Sequence, residues 1–314
     1  MIFTLTLNPA VDRELTVPSI EFDRVLRATA WRVDCGGKGF NVSRMLASLG
    51  TSSIALGFAG GKAGELLRDG LEDLGIETDF VWIEGETRTN VSIVSEAHDH
   101  YVKANEPGPV ISAGKQREMI DKIRALAQPG DWWVLAGSLP PGLPDGVYAQ
   151  IIHILKAPGA FAVLDTSGSA LSSGSEAGPY LLKPNAFEAR ALAGLPVDNL
   201  AQIAAAASAI QARGVQHVVI SLGKDGAVLS DEQDTWFAAS PPVDERNPIG
   251  AGDSMVAGLV WGLSQGYSPV EALKWGVACG AATASLSGTA VGSYDLVAFL
   301  TAQVALRPVQ VTSA

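Results

Sequence analysis

Cysteine and histidine are scarce in this sequence. The two cysteines, Cys35 and Cys279, are too few for a disulfide framework and lack the spacing of metal ligands, so both are predicted to be small buried residues. The four histidines show neither an HExxH motif nor a paired-ligand pattern. These shortages argue against a disulfide-stabilised protein and against a metal centre built from cysteine and histidine.

Long apolar runs and positive charge are also missing. No apolar run approaches the roughly 18 residues of a membrane span, and the first residues lack the basic segment of a signal peptide. The chain has 22 Lys and Arg against 33 Asp and Glu, a net charge of −11, which repels nucleic acid and anionic lipid. We therefore expect a cytoplasmic protein without nucleic-acid or membrane partners, which binds small anions only at local sites.

The sequence is long and apolar enough to bury a large core, with 314 residues and 47% hydrophobic content. From about residue 50, short apolar runs alternate with helical periodicity, which predicts a mainly parallel sheet covered on both faces, with a ligand crevice beyond the carboxyl ends of its strands. The predicted strands are 53–59, 131–136, 161–165, 180–182 and 215–221, and the predicted helices are 64–74, 115–127, 147–155, 187–192 and 201–213.

Two segments break this alternation. Residues 10–34 and 86–104 alternate like strands and contain no helical pattern, which predicts a small antiparallel sheet beside the main one. Because such a sheet has an apolar face to cover, we expect it to close over the crevice and to pair with a second copy of the chain. Residues 301–314 show no clear pattern and are expected to fray.

A glycine-containing segment, NPIGAGDS at 247–254, precedes an apolar stripe of helical spacing. Gly250 and Gly252 are therefore placed at a helix start, where free N–H groups and the helix dipole favour a phosphoryl group. Asp253 in that first turn could accept the proton of an attacking hydroxyl. A carboxylate at this position also commonly does no more than complement the helix.

A second glycine cluster, GGKGFNVSR at 36–44, opens another predicted helix. It is not a Walker A loop, because Lys38 lies between glycines and is not followed by Ser or Thr. Three glycines so close together indicate either that the backbone approaches a ligand or that a strand turns tightly into a helix.

Together, GGKGFNVSRMLASLG at 36–50 and NPIGAGDSMVAG at 247–258 resemble the two signature regions of the phosphofructokinase-B family of carbohydrate kinases. Five further segments resemble family segments and follow in the family's order, and the resemblance covers about residues 1–300. Pro248 departs from the Thr or Ser that the family often has, which puts cation or nucleotide contacts there in doubt. The five segments are 8–12, 87–90, 137–142, 183–188 and 221–226.

The resemblance implies a ribokinase-like three-layer α/β/α core, formed by residues 1–9, 35–85 and 105–314, with a β-sheet lid at 10–34 and 86–104. It implies ATP and magnesium as cofactors, and potassium in some family members. The implied catalytic residues are Asp253 as base and Gly250, Ala251 and Gly252 as anion hole. Implied nucleotide contacts are Lys183, Asn185, Ser221, Gly223 and Gly226. Implied metal contacts are Asn185 and Glu188 for magnesium, largely through waters, and Asn247, Ile249 and Gly288 for potassium.

Within the family, LTLNPAVD at 5–12, the Lys38 segment and NEPGP at 105–109 look most like the fructose-1-phosphate and tagatose-6-phosphate kinases. The first expectation is ATP-dependent phosphorylation of fructose 1-phosphate, with tagatose 6-phosphate and fructose 6-phosphate left open. The partners would be a phosphosugar and ATP, with a homodimer formed through the lid. The acceptor would be bound by Asp12, Gly37, Asn41 and Ser138, and its phosphate by the cations Arg27, Lys38, Arg88 and Lys103.

Two readings of another class remain beside this one. A catalytically silent sugar-phosphate binder could use the same fold, although all the implied catalytic residues are present. A dinucleotide-dependent oxidoreductase would need GxGxxG after the first strand, and residues 7–10 read LNPA instead.

Overall fold

The computed structural model describes residues 1–97 and 100–309, in which strands and helices alternate along most of the chain. The strands are β1 Ile2–Thr6, β2 Ala10–Val17, β3 Ala30–Gly36, β4 Ile54–Ala59, β5 Glu77–Thr78, β6 Val81–Trp82, β7 Arg88–Ser95, β8 Tyr101–Asn105, β9 Trp132–Ala136, β10 Phe161–Asp165, β11 Leu181–Leu182, β12 His217–Ser221, β13 Gly226–Ser230, β14 Thr235–Ala239 and β15 Ala305–Pro308. The helices are α1 Lys38–Ser48, α2 Gly61–Glu72, α3 Ala113–Leu126, α4 Val147–Lys156, α5 Gly168–Glu176, α6 Ala186–Ala193, α7 Leu200–Gln211, α8 Ala251–Ser264, α9 Pro269–Ala284 and α10 Tyr294–Thr301.

The main sheet, counted over the described residues, has eleven strands in the order β15-β14-β13-β12-β11-β10-β9-β1-β4-β5, with β6 beside β4. The strands from β12 to β5 pair in parallel, and β13, β14 and β15 extend the sheet in antiparallel fashion. β1 and β9 are buried along their whole length. Such complete burial is typical of a parallel strand whose two faces are both covered by helices.

Helices lie on both faces of this sheet. On one face, α3 to α7 pack around a cluster that includes Phe3, Trp133 and Tyr148. On the other face, α1, α8, α9 and α10 pack around a cluster that includes Met45 and Val134. The predicted three-layer α/β/α core is therefore confirmed.

The small sheet has four strands in the order β3-β2-β7-β8. The expectation of an antiparallel sheet is wrong for its central pair, because β2 and β7 run parallel with Ala10 opposite Arg88. Both strands begin at the edge of the core and run away from it, so they must share a direction. The outer pairs, β2 with β3 and β7 with β8, are antiparallel.

The end of the described chain is more ordered than expected. β15 pairs with β14, with Leu306 opposite Ala238, so the expectation that this region frays is wrong for residues 305–308. Leu306 packs against the core cluster beneath the sheet, a long-range contact that the local sequence does not reveal. Residues 310–314 lie outside the described part of the chain.

The two cysteines differ in burial. Cys279 is fully buried in α9, as predicted, whereas Cys35 is only half-buried, with its Sγ 3.8 Å from the carbonyl of Leu67. Across the residues that the structure describes, no helix has the length and apolar character needed to cross a membrane.

Candidate active site

A cavity of about 510 Å³ lies at the carboxyl ends of the central strands, between the core and the small sheet. We call it the polar cavity. Most sequence-predicted site residues lie on its wall. Those that do are Asp12, Gly37, Lys38, Asn41, Arg88, Lys103, Ser138, Lys183, Asn185, Glu188, Ser221, Ile249, Gly250, Gly252 and Asp253.

Asp253 lies in the first turn of α8 and is only 8% exposed. Its Oδ2 accepts a 2.8 Å hydrogen bond from Nδ2 of Asn41 in α1. Burial, together with the charge of Asp165, raises the pKa of Asp253 to about 6, against the opposing effects of Lys38, Asn41 and Lys183. At neutral pH this carboxylate is therefore ionised but basic enough to take a proton.

Gly250 precedes α8 with φ +82°, a left-handed conformation that favours glycine. Gly250 and Gly252 line the same cavity as Asp253, and the first N–H groups of a helix have no partner within the helix. The N–H of Ala251 is an exception, because it donates to the carbonyl of Pro248 at 3.2 Å. Of the three predicted anion-hole residues, Ala251 therefore has its N–H occupied. Ala251 lines a second cavity, described below, and not the polar cavity.

The glycine cluster before α1 has a packing reason. Gly37 has φ +142°, and a Cβ added to it would come within 2.9 Å of Cγ2 of Thr6. A Cβ at Gly39 would lie 2.6 Å from Oγ1 of the same threonine. The start of α1 thus packs against the end of β1, and this close contact brings Lys38 and Asn41 to the cavity wall.

Asp165, which the sequence analysis did not single out, ends β10 at the cavity and has a side-chain exposure of 2%. Its Oδ1 lies 3.1 Å from Nζ of Lys38 and 3.5 Å from Nζ of Lys183. Its Oδ2 is buried without a hydrogen-bond partner. Burial lowers the pKa of Lys38, but Asp165 and Asp253 outweigh that effect and the net shift of the pKa is upward, so the Lys38 ammonium remains cationic beside Asp253.

Arg88 holds the small sheet to the end of β1. Its Nη2 donates to the carbonyl of Asn8 at 2.9 Å and its Nη1 to the carbonyl of Glu106 at 3.0 Å. Its Nε is buried without a partner. On the same strand, Nδ2 of Asn90 donates to Oδ1 of Asp12 in the neighbouring β2 at 2.7 Å. The small sheet therefore presents both a guanidinium and a fixed carboxylate to the cavity.

A second cavity of about 590 Å³ adjoins the first on the other side of the α8 start. The two cavities share Ser221 and Gly252. Gly223, a predicted nucleotide contact, lines the second cavity and not the polar cavity. The remaining wall is formed largely by prolines and by small or apolar side chains, among them Pro241, Pro242, Val243, Val277, Gly280, Ala281 and Ala284.

Asn185 and Glu188 form the capping box of α6. Oδ1 of Asn185 accepts from the Glu188 N–H at 2.8 Å, and Oε2 of Glu188 accepts from the Asn185 N–H at 2.9 Å. One oxygen of each side chain is thus used within the helix start. Oε1 of Glu188 and the amide nitrogen of Asn185 remain for a ligand on the cavity wall.

The predicted potassium contacts lie together around one side chain. Nδ2 of Asn247 donates to the carbonyl of Gly288 at 2.8 Å, and its Oδ1 accepts from the Ile249 N–H at 3.0 Å. The loop after α9 is therefore tied to the turn before α8.

Four predicted site residues line neither cavity: Asn247 and Gly288, which are bonded to each other as described above, and Arg27 and Gly226. Arg27 is exposed in the connection between β2 and β3 and does not reach the polar cavity within the single chain. Gly226 has φ +114°, and a Cβ there would overlap the carbonyl oxygen of Ala238. Its conformation is explained by the β13 hairpin, without any ligand.

Several cavity residues were not predicted. They are Thr6, Asn8, Asn105, Gly137, Asp165, Thr166 and Ser167. Asn105 ends β8 of the small sheet. For the others the available signal was a position at or just beyond the end of a core strand, because parallel strands bring such residues to one edge.

Comparisons with known proteins identify the family of this chain. The model of the pfkB family carbohydrate kinases matches residues 5–295. A 1-phosphofructokinase from Bacillus subtilis is 37% identical over 90% of this chain and 92% of its own length. A tagatose-6-phosphate kinase from Staphylococcus epidermidis is 35% identical over 87% of this chain and 89% of its own.

Two solved structures have the same fold. Phosphofructokinase-2 from Escherichia coli, in complex with potassium, has a TM-score of 0.92 and 33% identity and covers 96% of this chain and 98% of its own. Ribokinase from Arabidopsis thaliana, complexed with ribose and ATP, has a TM-score of 0.77 at 20% identity and covers 96% and 98%, which shows the fold alone. The ribokinase-like core and the family resemblance are both confirmed. The chain belongs to the pfkB family of carbohydrate kinases.

Proposed function

We propose that this protein transfers the terminal phosphoryl group of ATP to the free primary hydroxyl of a ketohexose phosphate, with fructose 1-phosphate as the first candidate. The observation that carries the proposal is the position of Asp253. A buried, basic carboxylate lies in the first turn of α8, and that turn separates a polar cavity from an adjoining, largely apolar one. A base at such a boundary suits transfer between two bound molecules.

The polar cavity suits a phosphorylated sugar. Lys38, Arg88 and Lys103 line it, so an acceptor phosphate would meet several cations in a chain that is acidic overall. The Arg88 Nε is a buried donor without a partner, which a bound phosphate oxygen would satisfy. Asp12, fixed by Asn90, offers its carboxylate to sugar hydroxyls.

The second cavity suits a nucleotide. Its small and apolar side chains leave a slot for a planar base between the segment at Pro241–Val243 and the Gly280 region of α9. The phosphates would extend past Gly223 toward Gly252, where the two cavities meet. Glycine at 252 adds no side chain to that passage, and a Cβ there would be in van der Waals contact with Nζ of Lys183, 3.6 Å away.

The proposed chemistry needs no covalent enzyme intermediate. The acceptor hydroxyl oxygen attacks the γ-phosphorus as the bond from phosphorus to the β,γ-bridging oxygen breaks, and ADP leaves. Asp253 receives the hydroxyl proton. The N–H groups of Gly250, just ahead of α8, and of Gly252, in its first turn, offset the charge on the transferring group together with Lys38 and Lys183.

The family implies ATP and a divalent metal, which we take to be magnesium. Magnesium favours oxygen ligands and water, and would neutralise phosphate charge during transfer. The residues present fit this role, since Glu188 Oε1 is not used by the capping box and Asp165 Oδ2 is a buried oxygen without a partner. Potassium would be held by the carbonyl-rich region of Asn247, Ile249 and Gly288.

A coupled ATP-to-ADP assay tests the proposal. We expect the highest kcat/KM with fructose 1-phosphate, compared with tagatose 6-phosphate, fructose 6-phosphate and free fructose. A preference for tagatose 6-phosphate or fructose 6-phosphate would change the assigned acceptor and leave the assignment as a kinase intact. Binding without turnover of any of the four would instead support a silent phosphosugar-binding protein.

We further propose that the chain forms a homodimer through the small sheet and works in the cytoplasm, where ATP is its donor. The sheet exposes large apolar side chains on its outer strands, including Trp31 at 69% and Tyr101 at 67%. A second copy packed across a twofold axis would cover them. The boundaries of the lid at 10–34 and 86–104 belong to the same proposal.

A further inference from the structure

A chain of polar contacts joins the small sheet to the loop between α9 and α10. Oγ1 of Thr289, in that loop, donates a 2.8 Å hydrogen bond to Oδ1 of Asp34 in β3. The other oxygen of Asp34 accepts from Nε of Arg32 at 2.6 Å, and Arg32 also pairs with Glu14 of β2 at 3.2 Å. Asp34 is therefore bonded on one side to the sheet and on the other side to the core.

The same loop is bonded to the machinery of the polar cavity. The Gly288 carbonyl accepts from Asn247, whose Oδ1 accepts from the Ile249 N–H just ahead of α8. The Thr289 carbonyl accepts from Nη2 of Arg44 at 2.9 Å, on the helix that also carries Asn41. Two consecutive residues of the loop thus reach both elements that fix Asp253.

The contact between loop and sheet is close as well as polar. Gly288 has φ +67°, and a Cβ there would overlap the Arg32 guanidinium. On the sheet side, Asp34 is the cross-strand partner of Asp12, which lies on the wall of the polar cavity. The hydrogen bond from Thr289 to Asp34 therefore connects the small sheet, at the position next to Asp12, with the loop that is bonded to the turn ahead of α8.

We propose that the hydrogen bond from Thr289 to Asp34 is a positioning link between two ligand sites. Through it, a ligand bound on the small sheet favours the ligand-binding arrangement of the α8 start, and a ligand bound at the α8 start favours the ligand-binding arrangement of the small sheet. The inference rests on the proposed function, because that function puts the acceptor on the sheet side and the nucleotide on the α8 side. Coupling of this kind is reciprocal, so it can be measured from either side.

The experiment is hydrogen–deuterium exchange on the full chain with two probes, magnesium AMP-PNP and fructose 1-phosphate. In the wild type we expect the nucleotide analogue to slow amide exchange in β2 and β3 by about fivefold or more, and the sugar phosphate to slow it at 247–254. In Thr289→Val both remote effects should be lost, while protection next to each ligand remains. Thr289→Ser keeps the hydroxyl and should restore both effects.

A matched control removes a different bond of the same loop. Oγ of Ser48 donates to the Gly292 carbonyl at 2.7 Å, within the core. Ser48→Ala should lower the melting temperature about as much as Thr289→Val does and leave the remote protection intact. Asp34→Asn keeps an acceptor oxygen for Thr289 but loses the charge, so its remote protection from exchange should be weaker than in the wild type without being lost. This variant replaces Thr289→Val in the experiment if Thr289→Val folds poorly.

The outcomes separate the two proposals. If calorimetry shows that both probes bind the wild type but remote protection is absent, or survives in Thr289→Val, the positioning link is wrong and the kinase proposal stands. If Ser48→Ala loses remote protection to the same extent as Thr289→Val, the loss comes from a general loosening of the loop and the specific link is wrong. If neither probe binds, the proposed function fails, and the link fails with it.

Discussion

The Asn41 side-chain amide donates a 2.8 Å hydrogen bond to the Asp253 carboxylate, joining residues 212 positions apart in the chain. The bond fixes Oδ2, so the proton of an acceptor hydroxyl would go to the other oxygen. It also stabilises the ionised form of a buried acid. In the proposed mechanism, Asn41 therefore holds the base in position.

Replacing Asp253 with Asn should lower kcat by about 10²–10⁴-fold, because it removes the base and keeps the helix turn that would bind phosphate. Nucleotide affinity, measured by calorimetry, should change little. Asp244→Asn is the control, since Asp244 is exposed and lies outside both cavities. An Asp253→Asn enzyme with more than half of the wild-type kcat would rule out this role.

The same replacement should raise stability at neutral pH. The folded-state pKa of Asp253 lies above its ordinary value, so ionising this acid costs stability as pH rises from about 4 through about 6, and the cost persists above that range. Thermal unfolding should show Asp253→Asn several degrees above wild type at pH 7.5 and only about a third as far above it at pH 4.5, where the unfolded carboxyl is already largely ionised. A rise in melting temperature of the same size at both pH values would show that ionisation of Asp253 is not the cause of the stabilisation.

Replacing Asp165 and replacing Lys38 should move the acid limb of the pH profile of kcat/KM in opposite directions. The charge of Asp165 raises the pKa of Asp253 and that of Lys38 lowers it. Asp165→Asn should therefore shift the limb to lower pH, and Lys38→Met should shift it to higher pH. Asp131→Asn is the control, because that buried aspartate contacts the N-terminal amine at the opposite edge of the sheet and should leave the limb unchanged. Shifts of the same sign in both test variants would contradict this electrostatic account.

Arg88→Ala should raise the KM for the phosphosugar by about ten- to a hundredfold, the equivalent of about 1.5–3 kcal/mol for a charge-assisted contact. The KM for ATP should stay near the wild-type value, because Arg88 lines only the polar cavity. Arg68→Ala removes an exposed guanidinium paired with Asp69 and should change neither constant. An equal rise in both constants would mean that Arg88 acts by holding the sheet in place.

Sedimentation at micromolar concentration should give about twice the chain mass of 32.6 kDa. Trp31→Asp should give a folded monomer, since it puts a charge into the proposed apolar interface. Phe299→Asp, on the exposed side of α10, should leave the dimer intact. A wild-type monomer would remove the dimer proposal and leave the kinase assignment unaffected.

The elements that could be predicted are those whose cause is local. Continuous apolar runs identified β9 and β10, and the glycines before Lys38 and Asp253 identified two helix starts. Asp165 was not predicted as a site residue, because its importance comes from lysines brought to it from α1 and from the end of β11.

Long-range pairing explains the other differences. The parallel pairing of β2 with β7 depends on both strands starting at the same edge of the core, and β15 is ordered by β14. The small sheet was expected from its alternation, but a strand's direction relative to a distant partner is not written in that pattern.

The wall between the two cavities is thin, because Ser221 and Gly252 belong to both. A single compound could therefore extend through both, with a sugar phosphate at one end and an adenine at the other, joined by a short linker past residue 252. Such a bisubstrate inhibitor would lose its translational freedom once instead of twice, and should bind far more tightly than either half. Gly252→Ala would narrow the passage and weaken the joined compound more than its separate halves.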